Sequence, residues 1–118
     1  MISIVKESIN IEEGLKRVMN NKALYCRLLG NFTGKKFVSQ IAEATEAGDF
    51  EALMNAVHAL KGVAANLAMF RLISIVSRIE ALAKNAESPV DLLPELNEAF
   101  EKTDHAISLI REESFEWK

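Results

Sequence analysis

The sequence predicts an all-α protein, an up-down-up-down antiparallel bundle of four long helices with a short additional N-terminal helix. Three observations predict this class. Good helix formers, above all Ala, Leu, Glu, Lys and Met, dominate the composition. Apolar residues recur at intervals of three and four, and no run of alternating β-branched residues bounded by turn signals occurs. At 118 residues, 49% hydrophobic and 26% charged, the chain has the size and composition of one domain over residues 1–118.

The first helices are predicted from a capping pattern and from apolar spacing. Asn10 lies three positions before Glu13, a pattern that begins a short helix running towards Met19. After an Asn-Asn break, a long helix is expected over about 22–47. Its apolar spacing slips from four to five near Gly34, where the helix is expected to bend. The predicted buried stripe of this helix consists of Leu24, Leu28, Phe32, Phe37 and Ile41.

The remaining three helices are bounded by residues that favour helix ends. Gly48 suits the left-handed position that ends a helix, and Asp49 suits the cap that begins the next. Asp91 is the expected cap of the last helix, because Pro94 then lies in the first turn, where its missing N–H breaks no intrahelical bond. The helix expected over about 50–67 has a buried stripe of Leu53, Leu60, Ala64 and Leu67. The helix expected over about 70–86 has a buried stripe of Leu72, Ile75, Val76, Ile79 and Leu82 or Ala83. The buried stripe of the last helix consists of Leu96, Phe100, Thr103, Ile107 and Ile110.

Charge, hydropathy and cysteine content argue against several classes of function. The formal net charge of -3 and the pI of about 5.4 argue against binding to nucleic acid or to anionic lipid. No apolar stretch is long enough to span a bilayer, and the N-terminus lacks the features of a signal peptide, so a cytoplasmic protein is expected. Cys26, the single cysteine, fits a reducing compartment and is expected in or near the core. Two histidines and one cysteine are too few for an ordinary zinc site, so no metal is expected. Met1 and the short flanks favour a free-standing protein. A monomer is expected.

The helix over 50–67 carries an unusual outward face. With about 100° per residue, His58 points away from the core stripe. Gly62 costs about 1 kcal/mol relative to alanine inside a helix. It either lets a neighbouring helix approach closely or frays the helix end, or it clears space for access to the imidazole one turn earlier. Lys61 is either a solvated side chain or a cation beside an anion site; with the other two residues it indicates an anion site with a nucleophilic imidazole. The neighbours of the histidine on this face are Met54, Lys61, Gly62, Ala65 and Met69.

The ten residues from His58 to Leu67, His-Ala-Leu-Lys-Gly-Val-Ala-Ala-Asn-Leu, resemble the central motif of histidine-containing phosphotransfer (HPt) domains. In that family His-x-Leu-Lys-Gly is followed by small residues and then by Asn/Ser-Leu-Gly. The Leu-Tyr-x-x-Leu-Leu-x-x-Phe string over 24–32, the Gly-Asp turn before the histidine helix and the Ile-Glu pair ending at Glu80 are also similar. The resemblance spans about residues 10–110. Ala68 departs from it, since the family usually has glycine there, and the turn after the histidine helix is therefore expected to differ from that of the family.

The resemblance implies a role for each residue on this face. His58 would accept a phosphoryl group from the phospho-aspartate of a response-regulator receiver domain and later pass it to another receiver. Lys61 would stabilise the phosphoryl group, and Gly62 would open access for the aspartate loop of the partner. Partners would be receiver domains and a sensor or hybrid histidine kinase of a two-component system. The expected apolar docking surface consists of Met54, Ala65 and Met69.

Glu80 is the expected partner of the imidazole. By position in the family, its carboxylate would accept the Nδ1–H of the ring and leave Nε2 free to attack. The alternative is a surface glutamate that pairs with Arg78 or Lys84.

Two other classes of function compete with a phosphorelay carrier. The chain has no Gly-rich phosphate loop, so neither ATP binding nor autokinase activity is expected, and Mg²⁺ would be supplied by the receiver. A helical-bundle adaptor that is never phosphorylated is the main alternative. A metal-bundle enzyme would need Glu-x-x-His pairs, but Asn55 and Lys102 stand three residues before the two histidines. The second of these, His105, is expected to be a solvated surface residue.

Overall fold

The computed structural model describes residues 2–117, which are helical apart from short connections and the C-terminal segment and contain no strand. The predicted all-α class is confirmed. Met1 and Lys118, the two ends of the predicted domain, lie outside the described residues. The helices are α1 (Ile2–Ser8), α2 (Ile11–Lys16), α3 (Lys22–Gly30), α4 (Gly34–Ala47), α5 (Phe50–Asn66), α6 (Phe70–Lys84) and α7 (Leu93–Ile110), with a 3₁₀ turn over Val90–Leu92.

The four longest helices form a ring around one hydrophobic core. Helix α4 packs on α5, α5 on α6, α6 on α7, and α7 contacts α4. Helix α1 packs on α6 and α7, and α3 contacts α2 and α7. Because each long helix buries its apolar stripe towards the centre, the outward faces remain available for function. Core residues that the stripes predicted include Ile41, Leu53, Leu60, Leu72, Ile79, Leu96 and Ile110, all at most 1% exposed.

The predicted helix over 22–47 is two helices, α3 and α4. The helix is interrupted at residues 31–33. There the Phe32 ring folds back over Gly34, so that a Cβ on this glycine would lie 2.2 Å from the ring. The predicted stripe is also wrong in α3. Tyr25 and Leu29 are buried, whereas Leu28 is 37% exposed. Once the helix ends at Gly30, the periodicity of α4 no longer fixes the rotation of α3, which turns its tyrosine face inward.

Helix α1 was not predicted from the sequence. Its seven residues, rich in β-branched side chains, have modest helix propensity and are too few to form a stable helix in isolation. Val5 and Ile9 are nevertheless buried, and the Asn10 N–H, next along the chain, donates to the Ala68 carbonyl at 2.9 Å. Tertiary packing therefore stabilises this helix where local propensity does not.

The two ends of α5 are set by left-handed residues and a cap. Gly48 has φ +67°, and the Asp49 carboxylate accepts a hydrogen bond from the Ala52 N–H at 3.0 Å, as predicted. At the other end Ala68 has φ +59°. The Ala68 N–H donates to the Ala65 carbonyl, and the next N–H donates to the Ala64 carbonyl, which is the Schellman arrangement. The alanine therefore adopts the conformation that glycine adopts most easily, at a cost of about 1 kcal/mol.

The start of α7 differs from the prediction in one respect. Pro94 lies in the first turn as expected, but Asp91 is not the cap: Leu92 occupies that position, without a side-chain hydrogen bond. Asp91 belongs instead to the 3₁₀ turn that precedes the helix, where the Ser88 hydroxyl accepts the Val90 N–H at 3.3 Å. A tight turn therefore takes the place of a side-chain cap.

Candidate functional site

The position of the histidine helix is fixed by a hydrogen bond at its C-terminal end. The buried Tyr25 hydroxyl donates to the Leu67 carbonyl at 2.9 Å, and so satisfies a carbonyl that the helix itself leaves unpaired. Gly14 makes room for this tyrosine, since a Cβ there would lie 2.4 Å from the phenolic oxygen. Helices α2 and α3 thus hold the end of α5 in place.

The packing of α5 turns His58 outward. Val57 and Leu60, on either side of it, have no exposed surface, so the helix cannot rotate without exposing core residues. The His58 side chain is 61% exposed. The imidazole therefore stands on the outer wall of the bundle, next to α6.

A carboxylate from α6 joins the histidine to the lysine one turn later. Glu80 Oε2 lies 2.8 Å from His58 Nε2, and Glu80 Oε1 lies 2.9 Å from Lys61 Nζ. The expectation of a contact with Nδ1 is therefore wrong, because the carboxylate meets the other ring nitrogen. Pairing of Glu80 with Arg78 is excluded as well, since Arg78 forms an ion pair with Glu95 on α7.

The environment of Glu80 keeps its carboxyl ionised. The side chain is only 12% exposed, and burial alone would raise its pKa. The hydrogen bond from Lys61 outweighs that effect and lowers the pKa of Glu80, with the nearby charges of Lys61, Lys84 and His58 acting in the same direction. The carboxylate is therefore a charged hydrogen-bond acceptor at neutral pH, held between a cation and an imidazole.

Gly62 borders open space. A Cβ at this position would meet no heavy atom within 4 Å. The other helical glycines, Gly14, Gly30 and Gly34, are crowded instead, since a Cβ on any of them would lie 2.5 Å or less from a side-chain atom. Among the described residues no neighbouring helix approaches closely enough to account for Gly62, so that explanation for it is wrong, and α5 continues beyond this glycine to Asn66. The surface next to the imidazole is free of side-chain bulk.

The predicted docking surface is only partly present. Met54 and Ala65 are half-buried on the outer face of α5. The assignment of Met69 to this surface is wrong, since its side chain is fully buried in the core. It lies beyond the end of α5 at the cap position of α6, so the helical periodicity that placed it beside the histidine no longer applies there.

The other residues singled out in the sequence lie apart from this cluster. His105 is exposed on α7, and Cys26 is half-buried against the core, both as expected. Within the described residues no group of three potential metal ligands comes together. Of the helices over residues 2–117, none combines the length and apolar character needed to cross a membrane.

The bond between Lys61 and Glu80 was missed by sequence reasoning. The two residues are 19 positions apart on different helices, and nothing in their spacing indicates contact. Only the packing of α6 against α5 brings the carboxylate to both the lysine and the histidine.

Comparison with known proteins identifies the family. The Hpt domain family matches residues 33–110, which include α4 to α7 and the cluster around His58. Neither the curated proteins nor the solved structures gave a match. Hpt domains are phosphotransfer carriers, not kinases, and interact with receiver domains and histidine kinases. The chain belongs to the Hpt domain family, whose members take part in histidine phosphotransfer in two-component signalling.

Proposed function

We propose that His58 accepts a phosphoryl group from the phospho-aspartate of a receiver domain and passes it to the aspartate of another receiver. The observation that carries this proposal is the combination of an exposed imidazole with unobstructed space beside it. His58 is 61% exposed, and nothing lies within 4 Å of a Cβ at Gly62. A partner loop can therefore reach the ring without moving a side chain.

The proposed step is an in-line displacement at phosphorus. The Nε2 lone pair forms the N–P bond, the bond from phosphorus to the aspartate oxygen breaks, and its electron pair leaves on the aspartate carboxylate. Nε2 lies 2.8 Å from Glu80, so this contact opens before attack. Because Lys61 keeps Glu80 ionised, the carboxylate accepts the Nε2–H of the resting ring. Before attack the ring gives this proton to solvent and takes one from solvent at Nδ1, so that Nε2 has a free lone pair.

Lys61 is the proposed electrostatic partner of the phosphoryl group. One of its three donors is engaged by Glu80 at 2.9 Å, and the side chain is 39% exposed. The remaining donors can reach phosphoryl oxygens without breaking the bond to Glu80. Lys61→Ala should slow phosphorylation or shorten the lifetime of the phosphohistidine; unchanged kinetics would show that the lysine takes no part.

The chain is proposed to act as a carrier that neither binds ATP nor phosphorylates itself. Phosphoryl transfer to and from an aspartate depends on positioning and on neutralisation of charge. Here the positioning comes from α5 and Glu80, and part of the charge from Lys61. The receiver would hold the Mg²⁺. We further propose that the protein acts as a monomer in the cytoplasm.

The test is transfer from phosphorylated receiver domains. The unaltered chain should gain an acid-labile, alkali-stable label, which His58→Gln should abolish. His105→Gln is the matched control, since it removes the other exposed histidine and should leave the label unchanged. Incubation with ATP and Mg²⁺ alone should give no label. Absence of label with every receiver of a broad panel would favour the adaptor alternative.

A further inference from the structure

The carboxylate of Glu80 lies where a phosphoryl group on His58 would have to lie. Its Oε2 atom is 2.8 Å from Nε2, a hydrogen-bond distance that leaves no room for another group between the two atoms. A phosphoryl group bonded to Nε2 would fill that space with phosphorus and three oxygens. The carboxylate and the phosphoryl group therefore exclude each other from the reacting nitrogen.

Glu80 is too enclosed to move far from this position. Its side chain is 12% exposed, compared with 61% for His58 and 39% for Lys61. Its backbone is held as well, because the preceding residue, Ile79, is fully buried in the core. A glutamate on the surface would turn into water when displaced, whereas this one has only a small opening to solvent. Its carboxylate therefore stays near the imidazole after the contact to Nε2 opens.

A carboxylate in that position repels a phosphoryl group. The hydrogen bond from Lys61 lowers the pKa of Glu80, so the carboxylate is charged at neutral pH, and a phosphoryl group adds about two negative charges. At about 6 Å their repulsion shifts an equilibrium by about tenfold even at the dielectric constant of water. Lys61, bonded to Glu80 at 2.9 Å, would then be shared between two anions and would offset only part of this repulsion.

We infer that Glu80 disfavours the phosphorylated state of His58, because its carboxylate binds the ring nitrogen that must react and stays beside the phosphoryl group once that group is attached. The inference rests on the proposed function and adds how the stability of the phosphohistidine is set. A carrier has to release the phosphoryl group as well as accept it. By raising the free energy of the phosphorylated chain, Glu80 favours transfer to the next receiver.

Release of the phosphoryl group restores the contact with Glu80. The aspartate carboxylate of the second receiver bonds to phosphorus, the N–P bond breaks, and its electron pair returns to Nε2. The ring, which carried its proton at Nδ1, gives that proton to solvent and takes one from solvent at Nε2. Glu80 then accepts the Nε2–H again, as in the resting structure. Onward transfer therefore regains a charge-assisted hydrogen bond that phosphorylation had broken.

The test measures how label divides between this chain and a receiver domain. The receiver that exchanges label fastest in a panel is mixed with the chain, and both labelled fractions are read after transfer has equilibrated and before hydrolysis. Glu80→Gln removes the charge at nearly the same side-chain volume. It should shift the division about tenfold towards phosphorylated His58. A division that is unchanged, or shifted towards the receiver, would overturn the inference.

Glu95→Gln is the matched control for the lost charge. Glu95 lies on α7 and forms an ion pair with Arg78 of α6, so this variant also removes one negative charge and one bond between neighbouring helices. It should leave the division of label unchanged. A shift as large as that of Glu80→Gln would show that net charge is responsible, and the inference would fail.

The resting ring gives a second readout that needs no partner. Nitrogen NMR chemical shifts of the imidazole, recorded at alkaline pH, show which ring atom carries the proton. In the unaltered chain it should be Nε2 of His58. In Glu80→Gln the side-chain amide can donate to Nε2, so the proton should move towards Nδ1, while the exposed His105 stays unchanged in the same spectra. A proton on Nδ1 in the unaltered chain would contradict the contact on which the inference depends.

A second background separates repulsion from competition for the lysine. Glu80→Gln is added to Lys61→Ala, and the double variant is compared with Lys61→Ala alone. The shift towards phosphorylated His58 should persist, because repulsion by the carboxylate does not require the lysine. Loss of the shift in this background would show that Glu80 acts only by binding Lys61, and would overturn the inference.

Failure of this inference differs from failure of the proposed function. Absence of label on both the unaltered chain and Glu80→Gln, with every receiver of the panel, would overturn the proposed function itself. Label that divides equally for the two chains would leave His58 as the acceptor and overturn only the effect assigned to Glu80.

Discussion

Gly62→Ala should stabilise this protein, although it changes a residue of the family motif. Gly62 is the thirteenth residue of the 17-residue helix α5, where alanine is favoured over glycine because it loses less backbone freedom on folding. A Cβ there would touch nothing within 4 Å. The substitution therefore adds helix propensity without steric cost.

The expected gain follows from that absence of contacts. An exposed mid-helix glycine replaced by alanine gains about 1 kcal/mol in unfolding free energy. For a domain of this size that corresponds to a rise in melting temperature of roughly 3–6 °C. With an m-value of about 1–3 kcal/mol per molar urea, the midpoint should move up by roughly 0.3–1 M.

Urea unfolding followed by circular dichroism provides the measurement, and Gly48→Ala provides the control. Gly48 is also exposed, with no atom within 4 Å of a Cβ, but its φ is +67°. Alanine there should lower stability by about 1 kcal/mol, because left-handed backbone is strained for any L side chain. Both substitutions add the same methyl group, but their expected effects on the free energy of unfolding have opposite signs. A Gly62→Ala protein that is no more stable than the unaltered chain would refute the argument that this glycine has no structural role.

A larger side chain at the same position separates stability from function. Gly62→Gln should leave helix content intact and block transfer from a receiver, because its side chain would fill the space beside His58. Reaction with phosphoramidate, a small phosphoryl donor that needs no docking surface, should be slowed less. An unchanged receiver rate would contradict the role assigned to this open surface.

Three further predictions concern groups that the fold buries. Tyr25→Phe removes the donor to the carbonyl at the end of α5 and should lower the unfolding free energy by about 1–2 kcal/mol; an unchanged urea midpoint would show that the bond contributes nothing. Among residues 2–117 the buried hydroxyl of Thr103 finds no hydrogen-bond partner, so Thr103→Val should raise stability by about 1 kcal/mol. Thr45→Val, which removes a hydroxyl that donates to a carbonyl at 2.8 Å, should not. Lys61 lowers the pKa of Glu80 below its ordinary value of 4.5, so the stabilisation from this carboxylate is complete above pH 4.5 and is lost as the pH falls through the lowered pKa. Stability should therefore fall more steeply below pH 4.5 in the unaltered chain than in Glu80→Gln, and parallel pH profiles would contradict this assignment.

The parts of the fold that follow from local rules could be predicted from sequence. The ends of α5 at Gly48 and Asp49 depend on backbone freedom and a cap within one turn, and both occur as expected. The stripes of α5, α6 and α7 repeat over four or more turns, so the direction of each buried face is strongly determined. Short or interrupted segments were less predictable. Helix α1 and the rotation of α3 depend on the surfaces against which they pack, and so the stripe through Leu28 was assigned to the wrong face.

The candidate site divides in the same way. The outward direction of His58 followed from the periodicity of its own helix, and so did the positions of Lys61 and Gly62 beside it. Met69 was misplaced because it was projected along a helix that ends three residues earlier.

The sequence by itself determined the helical class, the family and the identity of the exposed histidine, because each of these depends on residues close together along one helix. Only the tertiary structure decided which ring nitrogen meets Glu80, that the same carboxylate binds Lys61, and that space remains open beside Gly62. These features depend on the distance and rotation between α5 and α6, which result from packing of the whole core. Contacts within a helix are set by a fixed geometric repeat, whereas contacts between helices require the position of each one relative to the others.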